Sequence, residues 1–183
     1  MKTEWDYTER ASTYDKRADY SGESVMELLH QIGAQGGDIV ADIGAGTGKL
    51  TKKLLQNHLI VHAIEPNDQM RARGEKNSVD EQVTWIDAIG EHTSLERNSV
   101  SAAFYGSSFN VLNQDLALAE AFRILRPGGW FCCMWNHRDL DDLVQKNIEQ
   151  VIHDVIPNYD YGSRRQDPND IILKSGLYSE VKN

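Results

Sequence analysis

A strand-like apolar segment that runs directly into three closely spaced glycines constrains this chain more than any other stretch. Residues 39–43 combine Ile, Val and Ala with one acid, and Gly44, Gly46 and Gly48 follow at alternate positions. Residues 49–55 then carry apolar side chains at helical spacing. Because glycine has no side chain, such a loop lets backbone N–H groups and a helix N-terminus approach a bound molecule. The stretch therefore predicts a strand–loop–helix unit that binds a small-molecule cofactor.

The composition is that of one globular domain. Of the 183 residues, 40% are hydrophobic and 26% are charged, which suits a chain with a substantial core. The net charge of −9 argues against a general nucleic-acid binder, which needs a basic patch. We find no apolar run long enough to cross a bilayer and no signal peptide, so we expect no membrane partner. Cys132 and Cys133 adjoin within an apolar run, which favours a buried strand in a reducing, cytoplasmic setting.

Five strand patterns alternate with helical patterns along the chain. The predicted strands are residues 39–43, 60–64, 83–86, 100–105 and 130–135. This alternation predicts an α/β fold with a doubly wound, mostly parallel sheet. The first, third and fifth strands are near-continuous apolar runs, so we expect helices to cover both of their faces.

Turn and capping residues predict where the elements begin and end. Ser21, Asp115 and Asp141 stand where the N-caps of three helices are expected. Residues 126–129, Arg-Pro-Gly-Gly, predict a tight turn before the fifth strand. We expect a single domain over residues 1–183, made of an N-terminal cap and helix (1–35), a cofactor-binding core (36–140) and a helical, substrate-side region (141–183).

Polar side chains recur where the predicted strands end. They are Asp42, Glu65, Asp87, Ser107, Asn110 and His137. In open parallel sheets, ligands bind beyond the carboxyl ends of the strands, at the point where the strand order reverses. The sequence therefore predicts that these side chains meet at one site.

The glycine spacing discriminates between nucleotide sites. A phosphate-binding P-loop needs G-x-x-x-x-G-K-[ST], but Ile43 stands at its first glycine and Leu50 at its Ser/Thr. A dinucleotide fingerprint needs G-x-G-x-x-G, but its third glycine position is Lys49 and the glycine comes one residue early, at Gly48. The tighter loop is less suited to a pyrophosphate.

Residues 42–48, Asp-Ile-Gly-Ala-Gly-Thr-Gly, resemble the first motif of class I S-adenosylmethionine-dependent methyltransferases. Residues 65–67 (Glu-Pro-Asn), 87–88 (Asp-Ala) and 125–130 (Leu-Arg-Pro-Gly-Gly-Trp) resemble later motifs of that family, in the same order. Residues 14–17, Tyr-Asp-Lys-Arg, resemble a segment that lies over the cofactor. The resemblance spans roughly residues 7 to 140, and ordered matches at strand ends are more specific than a lone glycine triplet. It implies a Rossmann-like methyltransferase fold and S-adenosylmethionine as cofactor.

The resemblance implies cofactor contacts for Tyr14, Asp42, Gly44, Ala45, Gly46, Glu65, Pro66, Met70, Asp87, Ala88, Ile89 and Ser107. In that arrangement Glu65 accepts from both ribose hydroxyls, and Asp87 accepts from the adenine amino group. Met70 and Ile89 pack on the adenine faces, and Asp42 fixes the loop or reaches the ammonium group through water. The residues alone leave ordinary alternatives open, such as turn glycines, capping acids and core side chains.

The implied reaction is in-line transfer of a methyl group to a small-molecule acceptor. The methyl donor is already activated, so the protein mainly positions the reactants, and no metal is required. His137 is the best-placed general base and His92 the second, although a solvated loop histidine is the commoner role. Ser107 and Asn110 either orient the substrate or form a turn. The sequence does not select an oxygen, nitrogen or carbon acceptor.

Two other functions remain open. One is a non-catalytic, cofactor-binding module of a larger assembly, and the other is a nicotinamide-dependent oxidoreductase. The first is motivated by the end of the chain, which stops where a sixth strand is expected, so that the fold looks truncated before a final strand hairpin. The exposed edge of the fifth strand would then favour self-association.

Overall fold

The computed structural model of the protein describes residues 17–79, 82–136, 139, 141–159, 167–180 and 182. Its helices are α1 (Gly22–Gln31), α2 (Lys49–Gln56), α3 (Asp68–Asn77), α4 (Gln114–Ile124), α5 (Leu143–Val155) and α6 (Asn169–Lys174). Its strands are β1 (Ile39–Ile43), β2 (Ile60–Ile64), β3 (Val83–Ile86), β4 (Val100–Gly106) and β5 (Leu125–Met134). The predicted Tyr14 and His137 lie outside the described residues.

The five strands form one parallel sheet in the order β3-β2-β1-β4-β5. The central strand β1 pairs with β2 on one side, where Asp42 lies opposite Ala63, and with β4 on the other, where Asp42 lies opposite Phe104. The chain winds outward from β1 to β3 and then returns to β4. The strand order therefore reverses beside the carboxyl end of β1, and the predicted doubly wound α/β fold is confirmed.

Apolar clusters cover the two faces of the sheet. On one face, α4 packs against β1 and β4 through a fully buried group that includes Ile43, Tyr105, Phe109 and Leu118. On the other face, α1 and α2 pack through Val25, Leu54 and Val61 among others. This double cover explains the continuous apolar sequence of β1.

The same expectation is met only in part for β3 and β5, whose side chains pack against both clusters but are less deeply buried. The side chains of β3 are only half-buried or exposed, and most of those in β5 are also accessible. Both strands stand at the edges of the sheet as described, so each has a neighbouring strand on one side only. An apolar run in the sequence does not distinguish a central strand from an edge strand.

The sequence predicted the correct N-cap residue for one of three helices. The Ser21 side chain accepts from the Ser24 N–H and begins α1, as predicted. The cap of α4 is Asn113 rather than Asp115, and the cap of α5 is Asp142 rather than Asp141. In each case a neighbouring Asn or Asp accepts the first-turn N–H instead, since these side chains are about equally good caps.

The predicted tight turn at residues 126–129 lies within β5 rather than before it. Val100 pairs with Leu125, whereas Ala102 pairs with Trp130, so the residues between them leave the register of the sheet. Gly128 supplies the left-handed conformation that this irregularity needs, with φ of 79°. The strand therefore begins before the glycines and resumes after them.

Within the described part of the chain, none of the helices is both long and apolar enough to cross a membrane. Among the same residues, no group of three or more His, Cys, Asp and Glu side chains is arranged to hold a metal ion.

Candidate cofactor site

The glycine loop leaves the carboxyl end of β1 in a conformation that favours glycine at three positions. The φ angles of Gly44, Gly46 and Gly48 are 73°, 59° and 82°, in the left-handed region that L side chains rarely adopt. The N–H groups of Gly44 and Ala45 both donate to the carbonyl of Ile64 at the end of β2, at 2.9 and 3.0 Å. The loop is thereby tied to the neighbouring strand before α2 begins.

Gly44 also has no room for a side chain. An added Cβ would lie 2.5 Å from the Cβ of Ser108, whose hydroxyl donates to the carbonyl of Ile43. The segment after β4 therefore packs directly against the start of the glycine loop. This contact joins the two strands between which the strand order reverses.

Asp42 is a buried acid beneath the loop. Its side chain is 1% exposed, and its Oδ2 accepts a 2.6 Å hydrogen bond from Thr51 Oγ1 in α2. Among the described residues Oδ1 has no hydrogen-bond partner, although the residue lines the cleft beside the loop. Burial raises the pKa of Asp42 to about 7, against the opposing effect of the Thr51 hydrogen bond. The orphaned oxygen is suited to a cationic donor from a ligand.

Glu65 is the second buried acid, at the end of β2. It is 8% exposed, and its two oxygens accept from the N–H groups of Gly46 and Asn67, each at 2.9 Å. Burial raises the pKa of Glu65, and these two N–H groups and the charge of Arg71 oppose the rise. Because each carboxylate oxygen has two lone pairs, Glu65 holds the loop and keeps capacity to accept from a ligand hydroxyl.

A cleft of about 160 Å³ lies between the glycine loop, the end of β4 and the segment before α1. Its lining residues are Arg17, Ala18, Tyr20, Asp42, Gly44, Ala45, Gly46, Thr47, Lys49, Leu50, Gly106, Ser107 and Asn136. It brings together five of the predicted site residues, from the loop and from β4. Ser107 has φ of 57°, and its hydroxyl accepts a 3.2 Å hydrogen bond from Tyr20.

The other predicted residues lie at the ends of β2 and β3. Met70 is 3% exposed, so its side chain is largely in the interior. The side chain of Asp87 is 64% exposed and pairs with Arg71 at 3.3 Å. Ile89 forms an isolated bridge with the exposed His92, and Pro66 and Ala88 are half-buried. These adenine and ribose contacts stay predictions, as does a catalytic role for His92.

Sequence reasoning missed two residues around the site, Lys49 and Arg71. The segment before α1 is held across the cleft by Lys49, whose ammonium donates to the Arg17 carbonyl at 2.5 Å, and by Asn136, which donates to the Asp19 carbonyl at 3.3 Å. Arg71 joins the ends of β2 and β3. Nothing in the local pattern identified Lys49, because its partner is distant in sequence, whereas the i,i+3 spacing of Asp68 and Arg71 was a visible signal.

These residues fit S-adenosylmethionine better than a dinucleotide. Asp42 and Glu65 are both acids and flank a loop without Cβ atoms at Gly44 and Gly46. Two carboxylates are unfavourable neighbours for a pyrophosphate and favourable ones for a ligand with ammonium and sulfonium cations. The two carboxylates, together with the unpartnered Oδ1 of Asp42, support this cofactor.

Comparison with known proteins agrees with the fold and the motif order. A family described as a methyltransferase domain matches residues 41–133, just over half of the 183-residue chain. An uncharacterised methyltransferase of Mycobacterium tuberculosis is 35% identical over 123 residues, which cover 67% of this chain and 48% of that protein. A ubiquinone/menaquinone biosynthesis C-methyltransferase of Caulobacter is 25% identical over 168 residues, covering 81% of this chain and 66% of that protein.

The fold is also shared with solved structures. A phosphoethanolamine N-methyltransferase of Haemonchus contortus, solved with S-adenosylhomocysteine, superposes with a TM-score of 0.59 and 19% identity, covering 84% of this chain and 36% of that one. The chain thus spans about half to two thirds of the curated relatives named above. On its motifs, its sheet and this family match, the chain belongs to the class I S-adenosylmethionine-dependent methyltransferases.

Proposed function

We propose that this chain is the cofactor-binding part of an enzyme that transfers a methyl group from S-adenosylmethionine to a small-molecule acceptor. The observation that carries the proposal is the pair of buried acids, Asp42 and Glu65, on either side of a loop that approaches ligands through its backbone. The relatives named as methyltransferases support the reaction class.

Four parts of the chain have distinct roles in this proposal. Gly44 and Gly46 let the backbone approach the methionine portion, and Asp42 offers an acceptor to its ammonium group. Glu65 accepts from the ribose hydroxyls, and Asp87 accepts from the adenine amino group. When bound, the cofactor supplies an activated methyl group on a sulfonium. The residues of this chain position that cofactor and exclude water from it.

The acceptor side lies at the ends of β4 and β5 in this proposal. Ser107 and Asn136 line the cleft there, and both are tied to the segment before α1. The relative from Caulobacter is named as a ubiquinone/menaquinone biosynthesis C-methyltransferase, so carbon acceptors are the first substrate class to screen. The predicted base His137 belongs to the same region of the sequence, after β5, and stays a prediction.

Calorimetric titration of the chain tests the cofactor directly. We expect S-adenosylmethionine and S-adenosylhomocysteine to bind and NAD to give no heat. Gly46→Arg should abolish binding because the new side chain fills the loop. Gly128→Arg is the matched control, since Gly128 also has a positive φ of 79° and an added Cβ there meets open space. Absence of heat with both sulfur nucleosides would overturn the proposal.

Turnover separates an enzyme from a non-catalytic module. Radiolabelled methyl transfer to a panel of small acceptors should yield product if this chain contains the whole acceptor site. Cofactor binding without transfer, in this chain and in longer forms of the protein, would favour the module.

We also propose a cytoplasmic location and self-association through the edge of β5. The first rests on Cys132 and Cys133, which are both free thiols, one buried and one half-buried, in that strand. The second rests on the place of β5 at the edge of the described sheet. Light scattering across a concentration series tests self-association, and a monomer at all concentrations would exclude it.

A further inference from the structure

Arg71 contacts three acceptors, which lie at the end of β2, at the end of β3 and in the first turn of α3. Its Nη1 donates to the backbone carbonyl of Glu65 at 2.7 Å and lies 3.3 Å from Asp87 Oδ1. Its Nη2 donates to Asp68 Oδ1 at 2.6 Å. The Arg71 side chain is only 16% exposed, whereas Asp87 is 64% exposed. A largely buried guanidinium, hydrogen-bonded to Glu65 and Asp68, thus forms an ion pair with an otherwise exposed carboxylate.

We propose that Arg71 is a positioning residue that sets the base selectivity of the cofactor site by holding Asp87 in one orientation. The inference rests on the proposed function, in which Asp87 reads the adenine amino group. Arg71 itself has no assigned contact with the cofactor. It acts through the carboxylate that it holds.

The geometry gives Arg71 this capacity for a physical reason. The guanidinium is planar and presents its donors in a rigid fork, so fixing two of its contacts also fixes the direction of the third. The Glu65 carbonyl and Asp68 supply the two fixed contacts, from the end of β2 and the first turn of α3. The Asp87 carboxylate is then oriented relative to the end of β2, which also carries the proposed ribose acceptor Glu65.

An oriented carboxylate discriminates between bases. An ionised carboxylate only accepts hydrogen bonds, so it is complementary to an amino group and repels a carbonyl oxygen. Adenine carries an amino group at the position where hypoxanthine carries a carbonyl. Asp87 held by Arg71 should therefore favour an adenosyl over an inosyl ligand, and a freely rotating Asp87 should do so less, because orienting it on binding costs side-chain entropy.

The test compares S-adenosylhomocysteine with S-inosylhomocysteine by calorimetry. We expect the unchanged protein to bind the adenosyl ligand at least about tenfold more tightly, since the wrong base leaves a polar group unpaired. Arg71→Gln should reduce this ratio to within about threefold of unity. Arg71→Lys keeps the charge but not the fork, so its ratio should be intermediate. Lys76→Gln removes one exposed positive charge from the same helix and should leave the ratio unchanged.

The ratio of the two dissociation constants distinguishes a positioning role of Arg71 from an effect on the stability of the protein. Both dissociation constants come from the same variant, so a loss of folded protein does not alter their quotient. Asp87→Asn should also abolish the preference, and Arg71→Gln in that background should add nothing. Arg71→Lys, which keeps the charge but not the fork, provides the result if Arg71→Gln does not fold.

The possible failures are distinguishable. If the unchanged protein binds neither ligand, the proposed function fails and this inference fails with it. If it binds the adenosyl ligand but shows no base preference, or if Arg71→Gln and Arg71→Lys retain the full preference, the role of Arg71 is wrong and the proposed function stands. An equal loss of preference in Lys76→Gln would also overturn it, because the effect would then be one of net charge.

Discussion

Thr51 Oγ1 in α2 donates a 2.6 Å hydrogen bond to Oδ2 of Asp42 in β1, and both side chains are fully or almost fully buried. The bond connects the strand before the glycine loop to the helix after it. The other oxygen of Asp42 is buried and has no partner among the described residues, and Asp42 lines the cleft. The acid that connects β1 to α2 is therefore also the one that we propose as an acceptor for the cofactor.

The first prediction concerns the pH dependence of stability at Asp42. The pKa of Asp42 rises from 3.8 to about 7 on folding, so the native state binds the proton more tightly than the unfolded state. The stabilisation from this group is fully present below pH 4 and is lost as the pH rises towards 7. Asp42→Asn should thus be more stable than the unchanged protein at pH 8, by about 2–4 kcal/mol, and similar to it at pH 4.

Urea unfolding of both proteins across this range measures the difference. Using the difference cancels the titration of groups that do not interact with Asp42. Glu65 is not among them, because its charge also raises the pKa of Asp42. A difference that does not change with pH would contradict a strongly raised pKa. The same variant should bind S-adenosylmethionine more weakly, since the neutral amide no longer attracts the ammonium group.

The second prediction separates two destabilising effects of a side chain at Gly44, the steric clash with Ser108 and the backbone strain of a positive φ. Gly44→Ala adds a methyl group 2.5 Å from the Cβ of Ser108 at φ of 73°, and should destabilise the protein by about 2–4 kcal/mol. Gly128→Ala meets open space at φ of 79°, so it carries only the backbone strain of about 1–2 kcal/mol. Guanidinium unfolding of the pair gives the cost of the clash as the difference. Equal losses would mean that the segment after β4 moves away freely.

The third prediction concerns Glu65. Glu65→Ala removes the acceptor for the Gly46 and Asn67 N–H groups as well as the proposed ribose acceptor. We expect binding of S-adenosylhomocysteine to weaken by about 1.5–3 kcal/mol, the range for hydrogen bonds to a charged group. Glu75→Gln removes an exposed acid from α3 and is the control, with unchanged affinity expected. Unaltered binding by Glu65→Ala in calorimetry would remove Glu65 from the site.

The fourth prediction is structural and lies away from the cofactor. Glu120 is 6% exposed and accepts from Thr93 N–H at 2.8 Å, Thr93 Oγ1 at 2.6 Å and Arg123 Nε at 2.7 Å. Burial raises its pKa, but these stronger hydrogen bonds lower it to about 2. Stabilisation by Glu120 is therefore present above pH 4.5 and is lost as the pH falls towards 2.

Glu120→Gln should destabilise the protein by about 2–3 kcal/mol at pH 7, because Arg123 loses its charged partner. Asp115→Asn, an exposed change on the same helix, should cost less than about 0.5 kcal/mol. Thermal unfolding of both variants at pH 7 and at pH 3 is the measurement. The loss in Glu120→Gln should shrink at pH 3, and a constant loss would contradict the lowered pKa.

The sequence alone determined the parts of this protein that depend on neighbours within a few residues. Short apolar runs predicted β1 and β2 with their bounds, and glycine spacing predicted a loop in which the structure has a left-handed backbone at Gly44, Gly46 and Gly48. The same local signals did not choose between Asn113 and Asp115 as a cap, or show that residues 126–129 lie within β5. Those outcomes depend on competition between similar side chains and on register with a strand far along the chain.

Tertiary structure decided which of the predicted residues share a site and what else joins them. Asp42 and Ser107 come from different strands and meet at one cleft because β1 and β4 are adjacent where the strand order reverses. Arg71 was not predicted, since two of its three acceptors lie at the ends of separate strands, Glu65 and Asp87. A local pattern states which residues are able to bind, and only the packing of strands against one another sets which of them lie within a hydrogen bond of each other.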